Sequence, residues 1–113
     1  MVKELIVYCS LLLLVTSCSY KKAEFEKGTG KYNKIKSGEK FCIDLPEDHK
    51  TNYYWGIKHD YDKKSVSYIA SIFHGTYVEF SFDALAPGKT EITFYLNGYQ
   101  EVKDTKTFLI EVE

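Results

Sequence analysis

Between Phe41 and Val112 the chain repeatedly alternates apolar and polar residues over short stretches, and each stretch ends at a turn-forming group. Phe41, Ile43 and Leu45 alternate with Cys42 and Asp44 until Pro46 interrupts them. Tyr53, Trp55 and Ile57 repeat the pattern, which runs out around His59-Asp60-Tyr61-Asp62. Val78, Phe80 and Phe82 alternate with Tyr77, Glu79 and Ser81 between His74-Gly75 and Ala86-Pro87-Gly88. Ile92, Phe94 and Leu96 then lead to Asn97-Gly98, and Phe108, Ile110 and Val112 close the chain. A period of two puts every second side chain on one face, the signature of a half-buried strand. Residues 65–73 are less regular and read either as a strand with a bulge or as a short edge strand. Short strands with turns about ten residues apart predict an all-β fold: an immunoglobulin-like antiparallel β-sandwich of about seven strands. The Cys…Trp…Cys spacing of antibody domains is missing, so the term describes architecture only.

Composition agrees. Ten Tyr and seven Phe stand mostly among Val, Ile and Thr, the residues that favour a pleated, half-buried surface. At 113 residues there is room for one core and no second domain. The net charge of −1, with both signs mixed along the chain, supplies no field to hold a polyanion, so nucleic acid is not an expected partner.

The first residues read as delivery. Lys3 precedes an apolar run from Leu5 to Val15, followed by Thr16, Ser17 and Cys18. A run of about 11 residues suits a signal peptide and falls short of the roughly 20 needed to span a bilayer. Val15-Thr16-Ser17-Cys18 resembles a bacterial lipobox, in which cleavage leaves Cys18 as the lipidated N-terminus. The expected organisation is a signal peptide over 1–17, a lipidated N-terminus and tether over 18–35, and the sandwich over 36–113. The protein is then exported and held in a membrane through a lipid on Cys18, at the periplasmic or outer cell surface; the alternative is plain secretion. The Lys-, Glu-, Gly- and Ser-rich composition of 19–40 supports the tether, with 31–36 as a short edge strand.

Catalytic chemistry has little to stand on. Cys42 is the one cysteine left in the mature domain, and it lies within an alternating strand with no base nearby in sequence, so it reads as a buried, unreactive thiol. His49, His59 and His74 are scattered without HxH, HExxH or CxxC spacing, and no glycine-rich phosphate loop is present. Glu47 and Asp48 read as solvated loop charges, and each His as an exposed polar residue. We therefore expect neither an enzyme nor a metal site nor a cofactor. A binding module fits better, because recognition residues usually sit on loops carried by a rigid scaffold. In an antiparallel sandwich alternate connections fall at one end, which would bring together the segment 48–53, the break at His74-Gly75 and the turn at Asn97-Gly98-Tyr99.

Those loops carry a resemblance. The segment Asp48-His49-Lys50-Thr51-Asn52-Tyr53-Tyr54-Trp55 resembles the Asn-Pro-Thr-Thr-Gly-(Tyr/Phe)-x-Trp motif of chagasin-type inhibitors of papain-like cysteine peptidases, matching at Thr51, Tyr53 and Trp55. His74-Gly75-Thr76 stands where the family has a Gly-Gly break, and Asn97-Gly98-Tyr99 where it has an Arg-Pro-Trp-like turn. Asn52 replaces a Gly, and Asn is the residue that best tolerates positive φ in its place. The resemblance implies a monomeric inhibitor, without cofactor, whose partner is a papain-like cysteine peptidase. It implies that Lys50, Thr51, Asn52 and Tyr53 enter the catalytic cleft, while His74, Gly75, Thr76 and Asn97, Gly98, Tyr99 clamp its flanks. Tyr99 is the implied aromatic anchor, and Trp55 reads as core support. The loss of the Arg-Pro-Trp turn and of one Gly motivates an alternative: a non-inhibitory envelope lipoprotein domain that binds another protein or a glycan.

Overall fold

The computed structural model describes residues 21–23 and 30–113. The signal segment and Cys18 lie outside the described residues. Among the described residues, eight strands form two four-stranded sheets: β1 (Lys21–Lys22), β2 (Asn33–Ile35), β3 (Lys40–Pro46), β4 (Tyr54–Ile57), β5 (Val66–Phe73), β6 (Tyr77–Ala84), β7 (Gly88–Gly98) and β8 (Glu101–Val112). One sheet has the order β1-β3-β6-β5 and the other β2-β8-β7-β4. A single turn of 3-10 helix, His49–Thr51, joins β3 to β4.

The alternation read from the sequence becomes the core. Phe41, Ile43 and Leu45 of β3 face Val78, Phe80 and Phe82 of β6, and across the sandwich they meet Trp55, Ile92, Phe94, Phe108, Ile110 and Val112, all buried. Phe41 stacks on Phe82 at 5.1 Å, and Phe94 meets Phe80 at 4.7 Å and Phe108 at 5.7 Å. Such aromatic pairs add to the area they remove from water. The irregularity expected in 65–73 is a register shift between Tyr68 and Ala70 in the β5–β6 ladder.

Two features depart from the sequence reading. The short edge strand expected within 31–36 is β2, parallel to β8 with Asn33 opposite Ile110, whereas Lys21–Lys22 of the tether add an unexpected parallel strand, β1, beside β3 with Lys21 opposite Phe41. Ala23 is buried and Ile35 fully so, which places core residues ahead of position 36. A two-residue strand is too short to show a period, and the partner of β1 is distant in sequence. The second departure is the β7–β8 turn. Asn97 and Gly98 remain in the ladder opposite Val102 and Glu101, so the turn is Tyr99-Gln100, with Gln100 at φ 59°.

Candidate functional site at the loop end

Three connections meet at one end of the sandwich: 47–53 between β3 and β4, 74–76 between β5 and β6, and Tyr99-Gln100 between β7 and β8. The first is central, and Glu47 fixes its base. This carboxylate is buried at 7% exposure, where the sequence suggested a solvated charge. Its Oε1 accepts from the Trp55 backbone N–H at 2.7 Å, its Oε2 lies 2.7 Å from His49 Nε2, and its backbone N–H donates to the Thr76 carbonyl at 3.1 Å. A buried carboxylate is tolerated only when its oxygens are occupied in this way. The neighbouring Trp55 indole N–H donates to the Pro46 carbonyl at 2.7 Å, closing the loop from the other side.

Asp48 builds the tip. In extended conformation, with φ −115° and ψ 107°, it caps the 3-10 turn: Oδ1 accepts from Lys50 N–H at 2.9 Å, and its carbonyl accepts from Thr51 N–H at 3.1 Å and Thr51 Oγ1 at 2.7 Å. An Asn at this position could accept the first of these bonds equally well. Asn52 ends the turn in the left-handed region at φ 61°, the conformation for which the resembling motif uses Gly. His49 is exposed, as expected, and its ring stacks on Phe73 with centroids 3.6 Å apart and an interplanar angle of 13°, and also abuts Tyr54.

Tyr53 links the first loop to the hairpin. Its ring lies directly on Gly98, where a Cβ would overlap it. Its hydroxyl donates to Glu101 Oε1, and Lys103 Nζ sits 4.6 Å from the ring centroid. This hydrogen bond, which only the protonated hydroxyl can donate, holds the Tyr53 phenol above its ordinary pKa, with desolvation and the Glu101 charge adding to it. In the second loop Gly75 adopts φ 97°, His74 N–H donates to the Tyr77 carbonyl at 2.8 Å, and the His74 ring stacks on Tyr77 at 4.7 Å.

Between the loops lies a groove of about 560 Å³ lined by Pro46, Glu47, Asp48, Lys50, Thr51, Tyr53, Gly75, Thr76, Leu96 and Lys103. Of the residues singled out in the sequence, Lys50, Thr51, Tyr53, Gly75 and Thr76 therefore share one surface. Asn52, Asn97 and Gly98 sit at the same end but outside the groove, and His74 turns toward Tyr77 and Glu79. Tyr99 stands at the hairpin tip at 89% exposure. Sequence reasoning missed Glu47, Leu96 and Lys103. The last two could have been found from the register of the hairpin, which carries them to the loop end on opposite strands.

A second cluster lies on the outer face of the β3–β6 pair. Ligand atoms of Cys42, Asp44 and Glu79 lie within 4.8 Å of one another, because Asp44 is opposite Glu79 and Cys42 is two residues away on the same face. Lys22 Nζ already supplies a cation there, 2.6 Å from Asp44 Oδ2. Burial, with Asp44 and Glu79 nearby, raises the Cys42 thiol to about 11, which agrees with an inert cysteine.

No protein-family model and no curated protein matches the sequence. Solved structures do match the fold. The chain is similar to the cysteine protease inhibitor EhICP2 from Entamoeba histolytica, with TM-score 0.66 and 17% identity over 84% of this chain and 94% of that one. It is similar to PbICP-C, solved in complex with falcipain-2, with TM-score 0.60 and 17% identity over 84% and 99%. Amebosin matches with TM-score 0.53 and 17% identity over 82% and 98%. Over most of its length, the β-sandwich built by this chain has the fold of solved cysteine protease inhibitors.

Proposed function

We propose that the protein is an exported inhibitor of papain-like cysteine peptidases, which occludes the catalytic cleft with the loops at one end of the sandwich. The observation that carries this reading is the bracing of the first loop by the other two, through Glu47 to Thr76 and through Tyr53 to Gly98, on a fold shared with PbICP-C. Occlusion needs a wedge that does not yield when pushed into a cleft. The capped turn over Asp48 to Asn52, with a buried carboxylate beneath it, meets that need. Thr51 and Lys50 form the wedge, and Tyr99, already solvent-exposed at the tip of the long β7–β8 hairpin, is the flanking anchor. An interface of ordinary size, about 1,600 Å² in total, would draw much of its energy from such an aromatic.

In the same reading the protein leaves the cytoplasm by its N-terminal signal and is retained at a membrane by a lipid on Cys18. Titration of the purified protein against a panel of papain-like peptidases tests the inhibitor. Stoichiometric inhibition is the expected result; none at micromolar concentration, from protein whose circular dichroism shows it folded, overturns the reading.

A further inference from the structure

We infer that the end of the sandwich opposite the loops is a membrane-facing surface, seated on the bilayer through Leu85-Ala86-Pro87, and that the inhibitory loops point away from the membrane. This rests on the lipid-anchored reading of Cys18.

The argument begins with where the chain enters the fold. Only Ser19 and Tyr20 separate Cys18 from β1. Three Cα–Cα steps reach at most about 11 Å, so a lipid on Cys18 holds Lys21 close to the bilayer instead of on a long tether. The position of Lys21 then decides which end is low. It pairs in parallel with Phe41, the second residue of β3, and β3 runs from there toward Pro46 and the loop end. The anchor therefore joins the sandwich at the far end from the loops.

That far end carries an apolar point. Leu85, Ala86 and Pro87 form the β6–β7 connection, all three are exposed, and Leu85 is 50% exposed. The connection is held rigidly: Leu85 N–H donates to the Ser65 carbonyl at 2.7 Å and Gly38 N–H to the Ala84 carbonyl at 2.9 Å. Three of the side-chain carboxylates at this end are engaged within the protein, while exposed Glu113 follows Val112, the ladder partner of Gly88. Asp62 accepts from Lys64 N–H and Ser65 Oγ, Glu39 from Lys36 N–H, and Asp83 pairs with Lys40. Lys36 and Lys64 are exposed beside the connection. An apolar tip flanked by lysines suits the headgroup layer of a bilayer. The 12 residues of β8 span about 40 Å, which sets the loops at that order of height and selects soluble peptidases over membrane-embedded ones.

The test uses the full chain, exported by a bacterial host, purified from membranes and reconstituted into phosphatidylcholine–phosphatidylglycerol vesicles. Mass spectrometry reads the diacylglyceryl adduct on Cys18; its absence overturns the inference at the anchor. An environment-sensitive fluorophore is placed on Ala86→Cys or on Tyr99→Cys, with a nitroxide quencher on the lipid headgroups. The expected result is several-fold stronger quenching at 86 than at 99. Equal quenching, or stronger quenching at 99, overturns the orientation while leaving the lipid intact. Leu85→Glu, at an exposed position, is expected to reduce quenching at 86 without changing inhibition of a soluble peptidase; unchanged quenching overturns the apolar contact. The peptidase titration is read separately, so a failed inhibitor and a failed orientation give different outcomes.

Discussion

The Tyr53 ring packs against Gly98 so closely that no side chain fits there, and the first loop is thereby locked to the β7–β8 hairpin. Gly98 sits within the ladder opposite Glu101, and the requirement there is space for a ring from another element. The same Tyr53 is held by Glu101 through its hydroxyl and covered by Lys103.

Gly98→Ala should therefore displace Tyr53 and with it the wedge. Overpacking of this kind costs about 1–3 kcal/mol. Urea denaturation should show the loss, and peptidase titration should show weaker inhibition in the same variant. A Gly98→Ala protein with unchanged stability and affinity would mean that the ring can move aside freely.

Glu47→Ala removes the acceptor for the Trp55 N–H and the partner of His49 Nε2 in one step. Leaving a buried donor unpaired costs about 1–3 kcal/mol, and we expect a loss of that order in chemical denaturation. Glu47→Gln keeps a neutral acceptor for Trp55 N–H and should recover part of the stability. If the two variants behave alike, hydrogen bonding by the side chain is not what Glu47 supplies.

Tyr99→Ala and Thr51→Ala separate binding from folding. Tyr99 is 89% exposed, so its truncation should leave the melting temperature unchanged. As an interface anchor it should cost about 2 kcal/mol or more, roughly a 30-fold rise in the inhibition constant. Thr51→Ala also removes the bond from Oγ1 to the Asp48 carbonyl, so it should weaken inhibition with a small drop in stability. Unchanged inhibition in both would move the binding surface elsewhere.

Cys42 should be nearly inert to iodoacetamide in the folded protein. Its thiol is raised from 9.0 to about 11, so at neutral pH its thiolate fraction should be about a hundred-fold below that of a thiol with the ordinary value. The sign for stability follows from the same shift. Below pH 9 the thiol is protonated in both folded and unfolded chains and adds no slope. Between pH 9 and about 11 the unfolded chain releases its proton first, so stability falls as pH rises. Cys42→Ala should flatten that part of the pH profile; an identical profile would assign the loss to the tyrosines and lysines that titrate in the same range.

Much of this molecule is written locally. Phe41 to Leu45, Val78 to Phe82 and Ile92 to Leu96 alternate, and a chain that alternates must form strands with one face buried, whatever lies opposite. Those positions and the placement of Trp55 in the core came directly from the sequence, as did the β5 irregularity and the meeting of alternate connections at one end. Asn52 also announced its positive φ through its residue type.

What the sequence left open is decided by partners far along the chain. Glu47 looks like any loop carboxylate until the fold brings Trp55 N–H, His49 and Thr76 around it. Asn97-Gly98 looks like a turn until Tyr53 claims the space over Gly98 and the turn moves on to Tyr99-Gln100. Lys21-Lys22 looks like solvated linker until β3 offers an open edge and Asp44 a counter-charge. A period or a residue preference is a property of neighbours in sequence, so it fixes which segments are strands and which faces are apolar. Burial of a charge, room for a ring and the pairing of an edge depend on atoms contributed by other strands, and only the packed tertiary structure supplies them.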